Sequence, residues 1–184
     1  MISRDEAITL IKKYLKQEEN IKHALCLEII LREMAKRLNR DINQWGLTGL
    51  LHNIDYEYCQ GDPAKIGMLS SQILEGLLPE KSVNAIKANN YMHTDVIPIT
   101  TLDKSIIASD AIIKLITKST YKMPSKKINE LEINTLTNNF YDEKFAPRIS
   151  RSRIKLCEDI GIETKTYLSF VLTILKNHAE RIGI

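Results

Sequence analysis

Several absences narrow this chain before any motif is read. Its three cysteines, Cys26, Cys59 and Cys157, are odd in number and far apart, with no CxxC pair. That fits a reducing compartment better than a disulfide framework. Aromatic residues make up 6% and glycines number 7, both low, in a composition otherwise ordinary for a soluble globular protein. No uninterrupted apolar run is long enough to cross a bilayer. The opening residues, Met1-Ile2-Ser3-Arg4-Asp5-Glu6, have no apolar core of the signal-peptide kind. The expectation is a cytoplasmic protein with no membrane partner. Neither sign of charge dominates. The net charge of +3 does not by itself argue for nucleic acid, although an anionic substrate would be tolerated. No P-loop, dinucleotide fingerprint or zinc-finger spacing occurs. Strand-type alternation is sustained nowhere, and there is no internal repeat, low-complexity tract or long linker.

What remains is helical periodicity along nearly the whole chain. Its 184 residues suit one domain with an ample core, so an all-α, single-domain bundle over residues 1–184 is expected. Ser3 and Glu6 form a capping-box pair ahead of Ala7, Leu10, Ile11 and Tyr14 at helical spacing. A second helix is expected from about Ile21 to Leu38, with Leu27, Ile30, Leu31, Met34 and Leu38 inward. His23, four residues before Leu27, shares that face. A third runs from about Ile42 to His52. Gly61-Asp62-Pro63 predicts a turn that opens a helix at Pro63, and Pro79 opens another. Residues 89–101 look irregular. Thr100 and Asp103 make a second capping box, ahead of a helix through Ile116. A basic connector, Tyr121-Lys122-Met123-Pro124-Ser125-Lys126-Lys127, leads to two or three short helices over 128–161. A final helix over about 163–181 carries Tyr167, Phe170, Val171, Ile174 and Leu175.

Three features stand apart from this core pattern. His23 lies on an apolar helix face. His52 closes the next helix and is followed by Asn53, Asp55 and Glu57. Asp110 sits inside Ile106-Ile107-Ala108-Ser109-Asp110-Ala111-Ile112-Ile113. A carboxylate in such a run needs a partner, because burying it alone would cost several kcal/mol or force protonation. A divalent metal held with imidazoles is one such partner; an arginine or a helix N-terminus is another.

A histidine, then a second histidine beside an acid position, then a distant aspartate, on an all-helical chain, resembles the HD superfamily of metal-dependent phosphohydrolases. The resemblance extends through Trp45-Gly46-Leu47-Thr48-Gly49-Leu50-Leu51-His52, Asp55-Tyr56-Glu57, Asp62-Pro63, Leu102-Asp103-Lys104 and Ala108-Ser109-Asp110. Pro124-Ser125-Lys126 and Phe145-Ala146 look like the small stand-alone members of that superfamily. It implies an HD-type helical bundle, with a core motif region over about 20–120 and C-terminal helices over about 128–184 packed on it. It also implies His23, His52, position 53 and Asp110 as ligands of one divalent ion, with iron, manganese, nickel, zinc and magnesium all open. The implied reaction is hydrolysis of a small phosphorylated metabolite or nucleotide, aided by the metal's acidification of water and neutralisation of phosphoryl charge.

The chain departs from that pattern in ways that bear on activity. Position 53 is Asn53 where the superfamily has its eponymous aspartate; an amide carbonyl can coordinate a hard cation but cannot bridge two. Ile66 and Asn89 stand near where small HD proteins carry further histidines, so a dinuclear centre is not expected. His93 is the nearest imidazole that could substitute. Asp55 is a candidate ligand or general base; otherwise Asp55 and Glu57 cap the following turn. Lys126 is the stronger candidate for a phosphate contact, and Arg148, Arg151, Arg153 and Lys155 form a second basic group; otherwise both are solvated faces. His178 is expected to be structural. Two alternatives to the hydrolase stand open: an inactive HD-like domain that binds a nucleotide or protein partner, and a helical interaction protein in which His23, His52 and Asp110 form a buried polar network. No clear nucleic-acid binding is expected, and a homodimer is compatible with the final helix.

Overall fold

The computed structural model describes residues 1–59 and 62–184. Every regular element among them is helical, as the periodicity predicts. None of the helices is long and apolar enough to cross a membrane. The chain forms two compact units, Met1–Ile106 and Ile107–Ile184.

The first unit holds α1 (Arg4–Tyr14), α2 (Glu18–Arg37), α3 (Ile42–Leu51), α4 (Met68–Leu74), α5 (Glu80–Asn89) and α6 (Tyr91–Thr94), and the first turns of α7 (Thr101–Lys122). The capping box of α1 forms as predicted: the Glu6 N–H donates to Ser3 Oγ at 3.3 Å and the Ser3 N–H to the Glu6 carboxylate at 2.8 Å. The second box forms too, with Thr100 N–H donating to Asp103 at 2.8 Å and Asp103 N–H to Thr100 Oγ1 at 3.1 Å. The expected stripe of α2, Leu27, Ile30, Leu31 and Met34, is buried. Glu28 is buried with it and is neutralised from two sides, by Arg4 at 2.8 and 2.9 Å and by Arg32 at 2.9 Å. A buried carboxylate with bidentate and second-guanidinium contacts is satisfied rather than stranded.

Two boundaries in this unit differ from the sequence expectation. Pro63 opens only a single 3-10 turn, Pro63–Lys65, and the helix proper begins at Met68 behind Gly67. Gly67 has φ 87°, a left-handed conformation that favours glycine. Of the expected turn residues, Gly61 lies outside the described residues. Within the irregular stretch, Tyr91–Thr94 closes one short helix.

The second unit holds the rest of α7, then α8 (Ile133–Tyr141), α9 (Arg151–Lys155), α10 (Thr164–Asn177) and α11 (Ala179–Ile182). Helix α7 extends well past Ile116, into the basic connector. Its Ile112, Ile113, Leu115 and Ile116 are buried, as are Tyr167, Leu168, Val171, Leu172 and Leu175 of α10. Ser109 Oγ and the Tyr167 hydroxyl are 2.8 Å apart, so the phenol enters the core with its polar end satisfied. The final helix is shorter than its periodicity suggests: α10 stops at Asn177, and His178 is the break before α11. The stretch between α8 and α9 is organised by one side chain. The Arg151 guanidinium donates to the carbonyls of Asn139, Phe140, Asp142, Phe145, Ala146 and Ile149.

All three cysteines are buried and free. Burial pushes the Cys26 thiol up to about 12 and the Cys157 thiol up to about 11. Thiols so far from thiolate are inert. In the native protein neither is expected to react with iodoacetamide at about pH 8, and both should react once it is denatured. Peptide mass spectrometry before and after denaturation reads this; rapid native labelling of Cys26 would mean that α2 opens locally.

Candidate metal centre

The site starts from a close helix crossing. A Cβ placed on Gly49 of α3 would lie 2.8 Å from the Leu27 carbonyl oxygen of α2. Only glycine lets the two backbones approach this far. His23 stands one turn before Leu27, and His52 follows Gly49 by three residues, so the crossing that needs Gly49 also brings the two imidazoles together. Their ring centroids are 5.6 Å apart with planes tilted by 39°. His23 is half-buried and His52 fully buried. His52 Nδ1 lies 2.8 Å from the Gly49 carbonyl oxygen. A carbonyl can only accept, so Nδ1 carries the proton and Nε2 is left as the basic nitrogen. A backbone carbonyl on the far ring nitrogen is the arrangement that orients a metal-binding histidine.

Asp110 lies on α7, one turn beyond Ile106, and is 2% exposed. One ligand atom from each of His23, His52 and Asp110 falls within 4.8 Å of the others. Two imidazoles and a carboxylate suit a divalent ion of the zinc, manganese or iron type, so this group could hold a metal. Asp110 also has cations from its own chain. Lys114 Nζ is 2.7 Å from Asp110 Oδ2, and Arg153 Nη2 is 3.6 Å from the same oxygen. The buried carboxylate therefore meets one of the expected partners, an arginine. Lys114 is a further partner that sequence reasoning missed, although its i,i+4 spacing from Asp110 is a visible signal.

The acids after His52 are used differently. Asp55 is fully buried. Its Oδ2 accepts the N–H groups of Gly67 and Ser70 at 2.8 Å each, and its own N–H donates to Ser70 Oγ at 3.3 Å. It therefore satisfies the orphan amides at the start of α4, where a carboxylate also meets the positive end of the helix dipole. Its Oδ1 is buried with no hydrogen-bond partner among the described residues. Glu57 closes a different helix. Its carboxylate accepts the N–H groups of Lys16 and Gln17 and the Asn20 side-chain amide, each at 2.9 Å. Partial burial opposes the charge, yet these three hydrogen bonds outweigh it and hold the carboxyl below the usual carboxylate range. Caps are thus present, as the alternative reading expected, but on α4 and on α2, the latter about 40 residues upstream.

The remaining candidates are dispersed. Asn53 is half-buried beside His52, and its backbone carbonyl oxygen accepts the Tyr56 N–H at 3.1 Å. Ile66 is half-buried and Asn89 buried. Neighbouring Asn90 donates through Nδ2 to the carbonyls of Pro63 at 2.8 Å and Ile66 at 2.9 Å, tying the 3-10 turn to α5. His93 is exposed on α6, and His178 marks the end of α10. Lys126 is exposed in the connector with φ 53°.

No protein-family model matches the chain, and neither a curated protein nor a solved structure matches it at a significant level. The class that the fold and the site define is therefore an all-helical protein carrying a histidine–aspartate group that could bind a metal ion.

Proposed function

We propose that the chain is a metal-dependent phosphohydrolase of HD type, acting on a small phosphorylated metabolite or nucleotide. The observation that carries this reading is the gathering of His23, His52 and Asp110 within 4.8 Å, in the sequence order by which the chain resembles that superfamily. In this reading His23, His52 and Asp110 hold the ion, and the Asn53 amide carbonyl is a fourth, uncharged donor. A bound divalent ion would supply charge neutralisation for phosphoryl oxygens and a more acidic water. The His52 Nδ1 bond to Gly49 keeps the ring aimed. Asp55 is a positioning residue, since it locks the turn after Asn53 against α4. Arg153 and Lys114 add positive charge for an anionic substrate, and Lys126 adds more outside the group. With Asn53, Ile66 and Asn89 in place of charged or imidazole donors, weak metal retention and low turnover are expected.

A second reading is favoured by one observation, the two cations already on Asp110 Oδ2. A chain that neutralises its own buried carboxylate can keep the scaffold without metal and bind a nucleotide or protein partner instead.

The test is elemental analysis of the purified protein, followed by phosphomonoester hydrolysis with added manganese for the wild type and Asn53→Asp. The hydrolase reading expects bound metal, and about tenfold or greater gain in turnover from the restored carboxylate, roughly the charge effect of one added ligand. Absence of any divalent ion from both proteins would end it. Metal binding with no turnover in either would favour the non-catalytic domain.

A further inference from the structure

The small net charge conceals a local concentration. Between Ala111 and Asn129 the sequence has Lys114, Lys118, Lys122, Lys126 and Lys127 and no carboxylate at all. Three of these follow one another at four-residue intervals along α7, which puts them on one helix face at steps of about 6 Å along the axis. Lys118 and Lys122 are exposed, as are Lys126 and Lys127 just beyond the helix end. Lys114 is engaged with Asp110, but none of the other four forms an ion pair among the described residues. Tyr121, 55% exposed, lies one turn after Lys118 and flanks that row.

Four exposed cations without carboxylate partners, two of them one turn apart beside an exposed ring and two just past the helix end, gain most from a ligand with repeating negative charge. We infer that this ridge binds single-stranded nucleic acid, with phosphates along Lys118, Lys122, Lys126 and Lys127 and a base stacked on Tyr121. Single strands rather than duplexes fit because the ring needs an accessible base face, and basic grooves with aromatic platforms bind single strands in this way. The ridge does not depend on the metal reading, and all of its residues lie after Asp110 and Lys114.

The experiment is fluorescence anisotropy of a labelled oligothymidylate of about 12 nucleotides, titrated with the full chain between about 50 and about 200 mM salt. Wild type is compared with Lys118→Glu/Lys122→Glu, with Tyr121→Ala and with His52→Ala; circular dichroism checks the fold of each. Saturable binding is expected, weakened about tenfold or more in the double variant, with the salt slope reduced by about 0.7 for each phosphate no longer neutralised. Tyr121→Ala should weaken it about fivefold or more, as for removal of one stacked base, and His52→Ala should leave it unchanged. No saturable binding at low salt, or a double variant that binds like wild type, would overturn the inference. Inorganic polyphosphate competing as well as the oligonucleotide, with no effect of Tyr121→Ala, would overturn the assignment to nucleic acid. Loss of binding in a folded His52→Ala protein would overturn the ridge as its location.

Discussion

Replacing His52 with alanine is expected to remove divalent metal from the purified protein and to leave a folded but less stable chain. The ring is fully buried, and its Nδ1–H satisfies the Gly49 carbonyl at 2.8 Å, one of the terminal acceptors of α3. Truncation therefore opens a cavity and strands a carbonyl, a cost of about 2–4 kcal/mol. The metal effect separates from this cost in a thermal melt with and without manganese. An ion bound only by the native state, at about a hundred times its Kd, adds about 2.7 kcal/mol. Wild type should gain such a shift and His52→Ala should gain none. Equal shifts in the two proteins would mean that any ion sits elsewhere. Destabilisation without a manganese shift in either would leave His23, His52 and Asp110 as a buried polar network alone.

The second large effect is expected at Gly49. In Gly49→Ala the new Cβ would lie 2.8 Å from the Leu27 oxygen, 3.0 Å from the Leu27 carbonyl carbon and 3.0 Å from Leu31 Cδ1. The first two are backbone atoms, so relief requires that α2 and α3 separate. Overpacking of this kind costs about 3 kcal/mol. Because the crossing carries His23 on one helix and His52 at the end of the other, separation should also weaken metal retention, though neither imidazole is altered. Gly46→Ala is the informative control. Its Cβ meets the Arg32 side chain at 2.5 Å, a flexible group that can swing aside while Glu28 keeps Arg4. A loss of about 1 kcal/mol with metal binding intact is expected there. Urea denaturation and metal titration of both variants decide the matter; equal effects would mean that the backbone approach at Gly49 is not what sets the imidazole pair.

These two residues also mark what can be read from sequence. Local devices are legible: Ser3 with Glu6, Thr100 with Asp103, and the apolar runs that make every element helical. So is the anomaly of Asp110, because a carboxylate inside isoleucines is conspicuous without knowledge of its neighbours. Illegible are the partners that arrive from far along the chain. Glu57 caps α2 from about 40 residues away. Asp55 supplies the N-terminus of α4 from 12 and 15 residues away, which is why the helix starts after Gly67 and not at Pro63. Arg153 reaches Asp110 across 43 positions (153 minus 110). The His52–Glu57 cluster therefore looks like one site when it is a ligand followed by two helix caps. The chain's small polar residues carry no mark of which helix terminus they will meet.

Arg151 has a consequence for how this chain can vary. The segment from Asn139 to Ile149 keeps its shape through six carbonyls that converge on one guanidinium. Carbonyls belong to the backbone, so the clamp is blind to the side chains of the residues it holds. Exposed Glu143, Lys144 and Pro147 are thus free to drift while the path of the chain persists. Arg151, outside that segment, is by contrast not replaceable: lysine there would not serve, since an ammonium has too few donors and no planar fork.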